Sequence, residues 1–71
     1  MNTNICKQVG KKIAELRKES GLTQEKLAEL ASIDYKYLQK IEGSSPPALR
    51  IDTLERIAKA LKINPHKLLD F

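Results

Sequence analysis

The chain has 71 residues, a formal net charge of +4, and two tyrosines and one phenylalanine as its only aromatic residues. This length predicts one domain over residues 1–71, with a core of leucine, isoleucine, valine and alanine. The single cysteine, Cys6, excludes an internal disulfide, and no apolar run is long enough for a transmembrane segment or a signal peptide. These features are typical of a cytoplasmic protein, and the mildly basic charge suits a face that meets nucleic acid.

A first helix is predicted from the apolar spacing near the start of the chain. Ile5, Val9, Ile13 and Leu16 recur at intervals of four, four and three residues, which places them in one stripe on a helix. Gly21 is expected to end this helix, because glycine adopts the left-handed conformation of a helix C-terminus without strain.

Two short helices are predicted next, over residues 23–31 and 34–42, with only residues 32 and 33 clearly between them. Thr23 and Asp34 carry side chains that can cap the two helices. Helices joined by so tight a turn must cross steeply, and this is the helix-turn-helix arrangement. The apolar residues expected to face inward are Leu27, Ala28, Ala31, Ile33, Leu38 and Ile41.

The last part of the chain predicts two further helices. Residues 44–50 contain two prolines and form a loop, and the helical pattern returns at Ile51 or Asp52. Asp52 and Glu55 can form a capping box at the start of this helix. A short final helix is predicted over residues 66–71, so the expected fold is a compact all-α bundle of five helices without a strand.

The second helix of the motif is predicted to expose a polar face. With Asp34, Leu38 and Ile41 placed inward, the outward residues are Lys36, Gln39 and Lys40, flanked by Tyr35 and Tyr37. Lysine can donate to guanine O6 and N7, and glutamine can pair with adenine N6 and N7. Tyrosine offers a hydroxyl to a phosphate and a ring to a thymine methyl group. The alternative interpretation of this face is an ordinary solvated helix surface.

No enzyme site is predicted. The one histidine, His66, lies near the end of the chain and is expected to be a solvated residue. One cysteine and one histidine do not supply a metal-ligand set, and three scattered glycines make no phosphate-binding loop. We therefore expect no catalytic activity and no metal or other cofactor. No small-molecule ligand is expected either, because 71 residues leave none for a separate sensor domain.

Three segments carry a longer pattern: IAELRKESGLTQEKLAELA at Ile13–Ala31, IDYKYLQKIEG at Ile33–Gly43 and IDTLERIAKALKI at Ile51–Ile63. Together they resemble the Cro/C1-type repressors of phages and their bacterial relatives. The resemblance implies a lambda-repressor-like fold with a helix-turn-helix over residues 24–43. It also implies a transcriptional regulator that binds double-stranded DNA sequence-specifically, with recognition helix 34–42 in the major groove.

The resemblance also implies roles for single residues. Ser32 stands where the family usually has glycine, because the turn there tends to need a positive φ, which costs a serine roughly 1 kcal/mol. Arg17 and Glu42 occupy the positions of an ion pair between the first helix and the end of the recognition helix. Gln24 stands where the family contacts a phosphate and braces the recognition helix, and a helix N-terminus does attract anions.

The expected DNA contacts divide by role. Base contacts are expected from Tyr35, Lys36, Gln39 and Lys40. Phosphate or flanking contacts are expected from Thr23, Gln24, Tyr37, Ser44, Ser45 and Arg50. For Arg50, the alternative is a loop charge without a role. The alternative function for the whole chain is a protein-interaction module, in which the same basic helix docks on an acidic partner.

A homodimer is expected, because one short helix reads too few base pairs for useful specificity. A two-fold dimer matches a pseudo-palindromic operator whose half-sites lie one helical turn apart, roughly 34 Å. The residues predicted for the dimer interface are Ile63, Pro65, Leu68, Leu69 and Phe71. The alternative is that Leu68 and Leu69 close the core while Phe71 frays.

Overall fold

The computed structural model describes the backbone from Asn2 to Phe71 and the side chains from Ile5 onward. The elements in chain order are α1 (Asn2–Glu19), α2 (Gln24–Ala31), α3 (Tyr35–Ile41), α4 (Ile51–Leu61) and a 3₁₀ helix (Pro65–Leu69). Residues 2–71 contain no strand, so the all-α prediction is confirmed. No helix in this range is both long enough and apolar enough to cross a membrane.

The prediction of five α-helices is wrong for the last one, since residues 2–71 form four α-helices and one 3₁₀ helix. The final segment is a 3₁₀ helix of five residues, and Asn64 at its start makes no side-chain capping bond. Pro65, which has no backbone N–H, opens the segment. So short a run gains too few i→i−4 bonds to offset the cost of starting an α-helix, and the tighter 3₁₀ turn is adopted instead.

Every element contributes to one hydrophobic core. The largest fully buried side chains are Ile13 of α1, Leu27 of α2, Leu38 and Ile41 of α3, Ile57 of α4 and Leu68 of the 3₁₀ helix. The first five lie at positions that the helical spacing predicted to face inward, whereas Leu68 was assigned to the dimer interface. Ile33 between α2 and α3 packs against this core. The core therefore fixes α3 on its inner side.

Gly10 permits the closest approach between α1 and α3. A Cβ atom built at Gly10 would overlap the carbonyl oxygen of Ile41 and would lie 3.2 Å from its carbonyl carbon. Because these are backbone atoms, no side-chain rotation could relieve the contact. The main chain of α1 thus lies directly against the last turn of α3.

Three helices end in the same way, with one residue in the left-handed conformation. The left-handed residues are Gly21 after α1 (φ 74°), Ser32 after α2 (φ 58°) and Lys62 after α4 (φ 60°). The amide of the following apolar residue then donates to a carbonyl five positions back: Leu22 to Arg17 at 3.1 Å, Ile33 to Ala28 at 3.0 Å and Ile63 to Ala58 at 3.0 Å. These are Schellman ends, and the predictions for Gly21 and Ser32 are confirmed.

Replacing Ser32 with glycine should stabilise the protein by about 1 kcal/mol, because it removes the strain of a side chain at positive φ. The midpoint of urea unfolding should rise without a change in slope, which marks a change in stability alone. Ser44→Gly is the control, since Ser44 is exposed in a loop and has no positive φ. A Ser32→Gly variant as stable as the parent, or less stable, would contradict the strain argument.

The start of α4 differs from the prediction in one detail. The helix begins at Ile51, and its N-cap residue, Arg50, makes no side-chain capping bond. The capping box of Asp52 and Glu55 is not formed, because Asp52 already lies inside the first turn. Its carboxylate accepts a hydrogen bond from Arg50 Nε at 3.1 Å, and a negative charge is favoured there by the helix dipole.

Candidate nucleic-acid interface

The two motif helices are capped as predicted. Thr23 Oγ1 accepts a hydrogen bond from the amide of Lys26 at 3.1 Å, and Asp34 Oδ2 accepts one from the amide of Tyr37 at 3.3 Å. The inward placement of Asp34 is wrong: the residue is exposed, because its carboxylate turns back along the surface to the first turn of α3. Both caps satisfy amides that the helices leave free.

The exposed face of α3 carries the four residues predicted to contact bases. They are Tyr35, Lys36, Gln39 and Lys40, and all four are exposed. At 100° per residue they cover one continuous arc of about 140°. Leu38 and Ile41 have no exposed surface and fix the opposite side. The helix therefore presents a phenol, two ammonium groups and an amide together.

Tyr37 lies at the edge of this face. Its side chain is half-buried and packs against the core. The ring is thus held in place, while the partial exposure leaves the residue within reach of a molecule docked on α3.

A shielded hydrogen-bond network holds the C-terminal end of α3. Arg17 and Glu42 form the ion pair implied by the resemblance, with Arg17 Nε 2.9 Å from Glu42 Oε2 and Arg17 Nη2 3.1 Å from Glu42 Oε1. Their side chains are only 11% and 5% exposed. Arg17 Nη1 also donates to the carbonyl oxygen of Leu22 at 2.7 Å. One guanidinium therefore ties α1, the turn before α2 and the end of α3 together.

Gln24 belongs to the same network. Its amide nitrogen donates to Glu42 Oε1 at 2.9 Å, so the start of α2 is bonded directly to the end of α3. This contact is the bracing that the resemblance implies for Gln24. An amide nitrogen carries two hydrogens, so the bond to Glu42 uses one of the two N–H groups of Gln24.

The remaining residues predicted to contact phosphates differ in their surroundings. Thr23, Ser44 and Ser45 are exposed. Arg50 is engaged with Asp52, at 3.1 Å from Nε to Oδ1, and these side chains are 79% and 52% exposed. Ion pairs so exposed contribute little stability, so Arg50 can exchange this partner for another anion at small cost.

The residues predicted for a dimer interface separate into two groups. Leu68 is fully buried within the protomer, so its assignment to the interface is wrong. The 3₁₀ helix packs between α1 and α4 and turns this side chain into the core. Leu69 and Phe71 are 50% and 56% exposed, Pro65 is exposed, and Ile63 is half-buried.

An apolar groove that was not predicted from the sequence lies beside Leu69. The groove is lined by Ile5, Cys6, Val9, Leu49, Leu54 and Leu69. Ile5 belongs to the predicted apolar stripe of α1, yet it is 50% exposed at this edge. Gly10 was also overlooked, although an isolated glycine inside a helical pattern often marks a close contact.

The part of the chain that the structure describes contains no cluster of three or more histidine, cysteine, aspartate or glutamate residues that could hold a metal ion. His66 is exposed in the 3₁₀ helix and Cys6 is half-buried in the apolar groove.

Comparison with known proteins identifies the family. A family model described as a helix-turn-helix domain matches residues 10–70. The chain is also 36% identical over 72 residues to Control protein C.BamHI from Bacillus amyloliquefaciens, in an alignment that covers all of the chain and 88% of that protein. The chain belongs to the Cro/C1-type helix-turn-helix family.

Solved structures of similar size match this helix-turn-helix protein along most of its length. The restriction-modification controller protein C.AhdI from Aeromonas hydrophila is 32% identical with a TM-score of 0.83, covering 89% of this chain and 94% of that one. C.Esp1396I bound to a 19-base-pair DNA duplex is 32% identical with a TM-score of 0.84, covering 93% of this chain and 87% of that one.

Proposed function

We propose that this protein is a small transcriptional regulator that binds a specific sequence of double-stranded DNA through α3. The observation that carries the proposal is the continuous exposed arc of Tyr35, Lys36, Gln39 and Lys40 on a helix whose other side is fixed in the core. An α-helix fits the major groove, where lysine distinguishes guanine and glutamine distinguishes adenine. The likeness to C.Esp1396I, whose structure holds a DNA duplex, supports this assignment.

In this proposal residues 1–71 form a single DNA-binding domain of the lambda-repressor type, with its motif at residues 24–43. Thr23 and Gln24 contact phosphate at the start of α2, where the helix dipole favours an anion. The Thr23 hydroxyl accepts from the Lys26 amide and still has its own hydrogen to donate. The remaining flanking contacts come from Tyr37, Ser44, Ser45 and Arg50.

Replacing Lys36 or Lys40 with alanine should weaken operator binding by about 1–3 kcal/mol and relax the preference at particular base pairs. The preferred duplex is first selected from random DNA, and the affinities of the variants are then measured by fluorescence anisotropy. Lys7→Ala is the matched control, because Lys7 is an exposed lysine on α1. Unchanged base preference in both variants would rule out α3 as the recognition helix.

Arg50→Ala provides the contrasting control in the same experiment. A lost phosphate contact weakens all duplexes alike and lowers the slope of log affinity against log salt by about one. The protein-interaction alternative expects neither a steep salt dependence nor a selected sequence, so the same titrations separate the two functions.

The proposed working unit is a homodimer on a pseudo-palindromic operator. Its surface is formed by Leu69 and Phe71 with Ile63 and Pro65, since Leu68 belongs to the core. Leu69 also lines the apolar groove, which adds an apolar area beside the C-terminal end. A two-fold contact buries the same patch from each copy, and a chain this small gains stability from that burial.

The double variant Leu69→Ser, Phe71→Ser should remain folded and become monomeric in sedimentation at micromolar concentration. Leu30→Ser is the matched control, because Leu30 is 49% exposed and Leu69 is 50% exposed. Truncation at Asn64 is not a suitable test, since it would also remove Leu68 from the core. A parent chain that is monomeric both free and on DNA would overturn the dimer.

A further inference from the structure

A second surface, on the side formed by α2 and α4, carries an apolar centre and a basic rim. Leu30 is 49% exposed and lies beside the partly buried side chains of Leu22 and Ala60. Two adjoining shallow hollows share Leu30 and bring Arg56, Lys59 and Lys62 to its edge. We call these six residues the α2–α4 patch.

The three basic residues of the patch lie on the second half of α4 and at its C-terminal end. Arg56 and Lys59 lie three residues apart on one side of α4, about 4.5 Å apart along the axis, and Lys62 is the left-handed residue that ends this helix. Within the described chain none of the three makes an ion pair. Arg56 makes one long hydrogen bond, from Nη1 to the carbonyl oxygen of Ser32 at 3.4 Å.

No carboxylate among the described residues lines either hollow. Glu29, the nearest acidic residue in sequence to Leu30, pairs instead with Lys26 at 3.6 Å. The dipole of α4 favours a cation in its last turn, such as Lys59, and Arg56 donates to the carbonyl oxygen of Ser32 at the C-terminal end of α2. These are contacts with helix ends, and no carboxylate among the described residues forms an ion pair with Arg56, Lys59 or Lys62.

The proposed DNA contacts do not use this patch. They come from the exposed arc of α3 and from the start of α2, and Gln24 is separated from Leu30 by six residues, about 9 Å along the helix. A phosphate backbone would satisfy the cations but would gain nothing from an exposed leucine. The apolar centre therefore favours a protein partner over a second stretch of DNA.

We propose that the α2–α4 patch binds an acidic, amphipathic helix of a partner protein. Carboxylates three or four residues apart on such a helix match the spacing of Arg56 and Lys59, and a further carboxylate can pair with Lys62 at the end of α4. An apolar side chain on the same face covers Leu30 and removes its exposed surface from water. The proposal goes beyond DNA binding and does not depend on it.

The test uses ¹⁵N-labelled protein and a synthetic helical peptide of about four turns that carries glutamates and two leucines on one face. We expect the amide resonances of Leu22, Leu30, Arg56 and Lys62 to shift on titration, while those of α3 remain unchanged. The double variant Arg56→Glu, Lys59→Glu should bind the peptide roughly tenfold more weakly, since two charge pairs are lost. The control, Lys7→Glu with Lys11→Glu on α1, should bind as the parent does.

Two peptide variants decide what the patch recognises. A peptide with serines in place of its leucines should bind several-fold more weakly, and equal binding would show that charge alone attracts it and overturn the proposal. Leu30→Ser should reproduce this loss from the protein side, and circular dichroism verifies that the variant is folded. Resonances of the patch that shift on addition of operator DNA, or on raising protein concentration without peptide, would instead assign the surface to DNA or to a second copy.

Discussion

Replacing Arg17 with methionine should lower the free energy of unfolding by about 3 kcal/mol. The change leaves the carboxylate of Glu42, whose side chain is 5% exposed, without its main partner. It also leaves the carbonyl oxygen of Leu22 without the donor that now lies 2.7 Å away. A loss of this size is a large part of the total free energy of unfolding of a small domain. Urea unfolding measures it, and the slope of free energy against urea concentration should stay unchanged.

The double-mutant cycle with Glu42→Leu separates the interaction from the individual losses. Glu42→Leu should be milder than Arg17→Met, because Arg17 keeps its bond to the Leu22 carbonyl. The double variant should lose less than the sum of the single losses, since no charge is then left buried without its partner. Strictly additive losses would mean that Arg17 and Glu42 do not stabilise each other.

Gly10→Ala should destabilise the protein by about 2–3 kcal/mol, the cost of overpacking a tight contact. The new methyl group would overlap the carbonyl oxygen of Ile41, so α1 and α3 must move apart. Helix propensity alone predicts the opposite sign, a gain of about 1 kcal/mol for glycine to alanine inside a helix. The melting temperature of Gly10→Ala therefore distinguishes the two effects: it falls if the overlap is larger and rises if helix propensity is larger.

Gln8→Ala is the control for Gly10→Ala, because Gln8 lies exposed on the same helix. Its melting temperature should remain close to that of the parent. If Gly10→Ala melts at the same temperature as the parent or above it, α1 and α3 are not in direct backbone contact. Any Gly10→Ala protein that stays folded should also bind DNA less tightly, because the displaced α3 carries the proposed base contacts.

The features predictable from the sequence are those that depend on neighbouring residues. Thr23 and Asp34 cap helices that begin directly after them, and the apolar spacing separates Leu38 and Ile41 from the exposed face of α3. The pairing of Arg17 with Glu42 came from the family resemblance, because nothing local connects residues so far apart in sequence.

The features that could not be predicted from the sequence depend on contacts between residues far apart in the chain. Gly10 matters only because Ile41 lies against it, and Leu68 is buried because the 3₁₀ helix packs against α1 and α4. The resemblance implied that Gln24 braces the recognition helix, but its partner, Glu42, was not predicted. Asp34 was wrongly predicted to face inward because a helical wheel treats every position as helical, whereas Asp34 is the N-cap residue before α3.

The direct contact of α1 with α3 has a consequence for how binding specificity can change. The position of α3 is fixed by contacts on its buried side and at its C-terminal end, which involve Gly10, Leu38, Ile41 and Glu42. None of these residues belongs to the exposed arc. The four arc residues can therefore be exchanged as a set without altering the angle at which the helix is held. If these four residues make the base contacts proposed above, substitutions at these surface positions change the target sequence while the core that holds α3 stays the same.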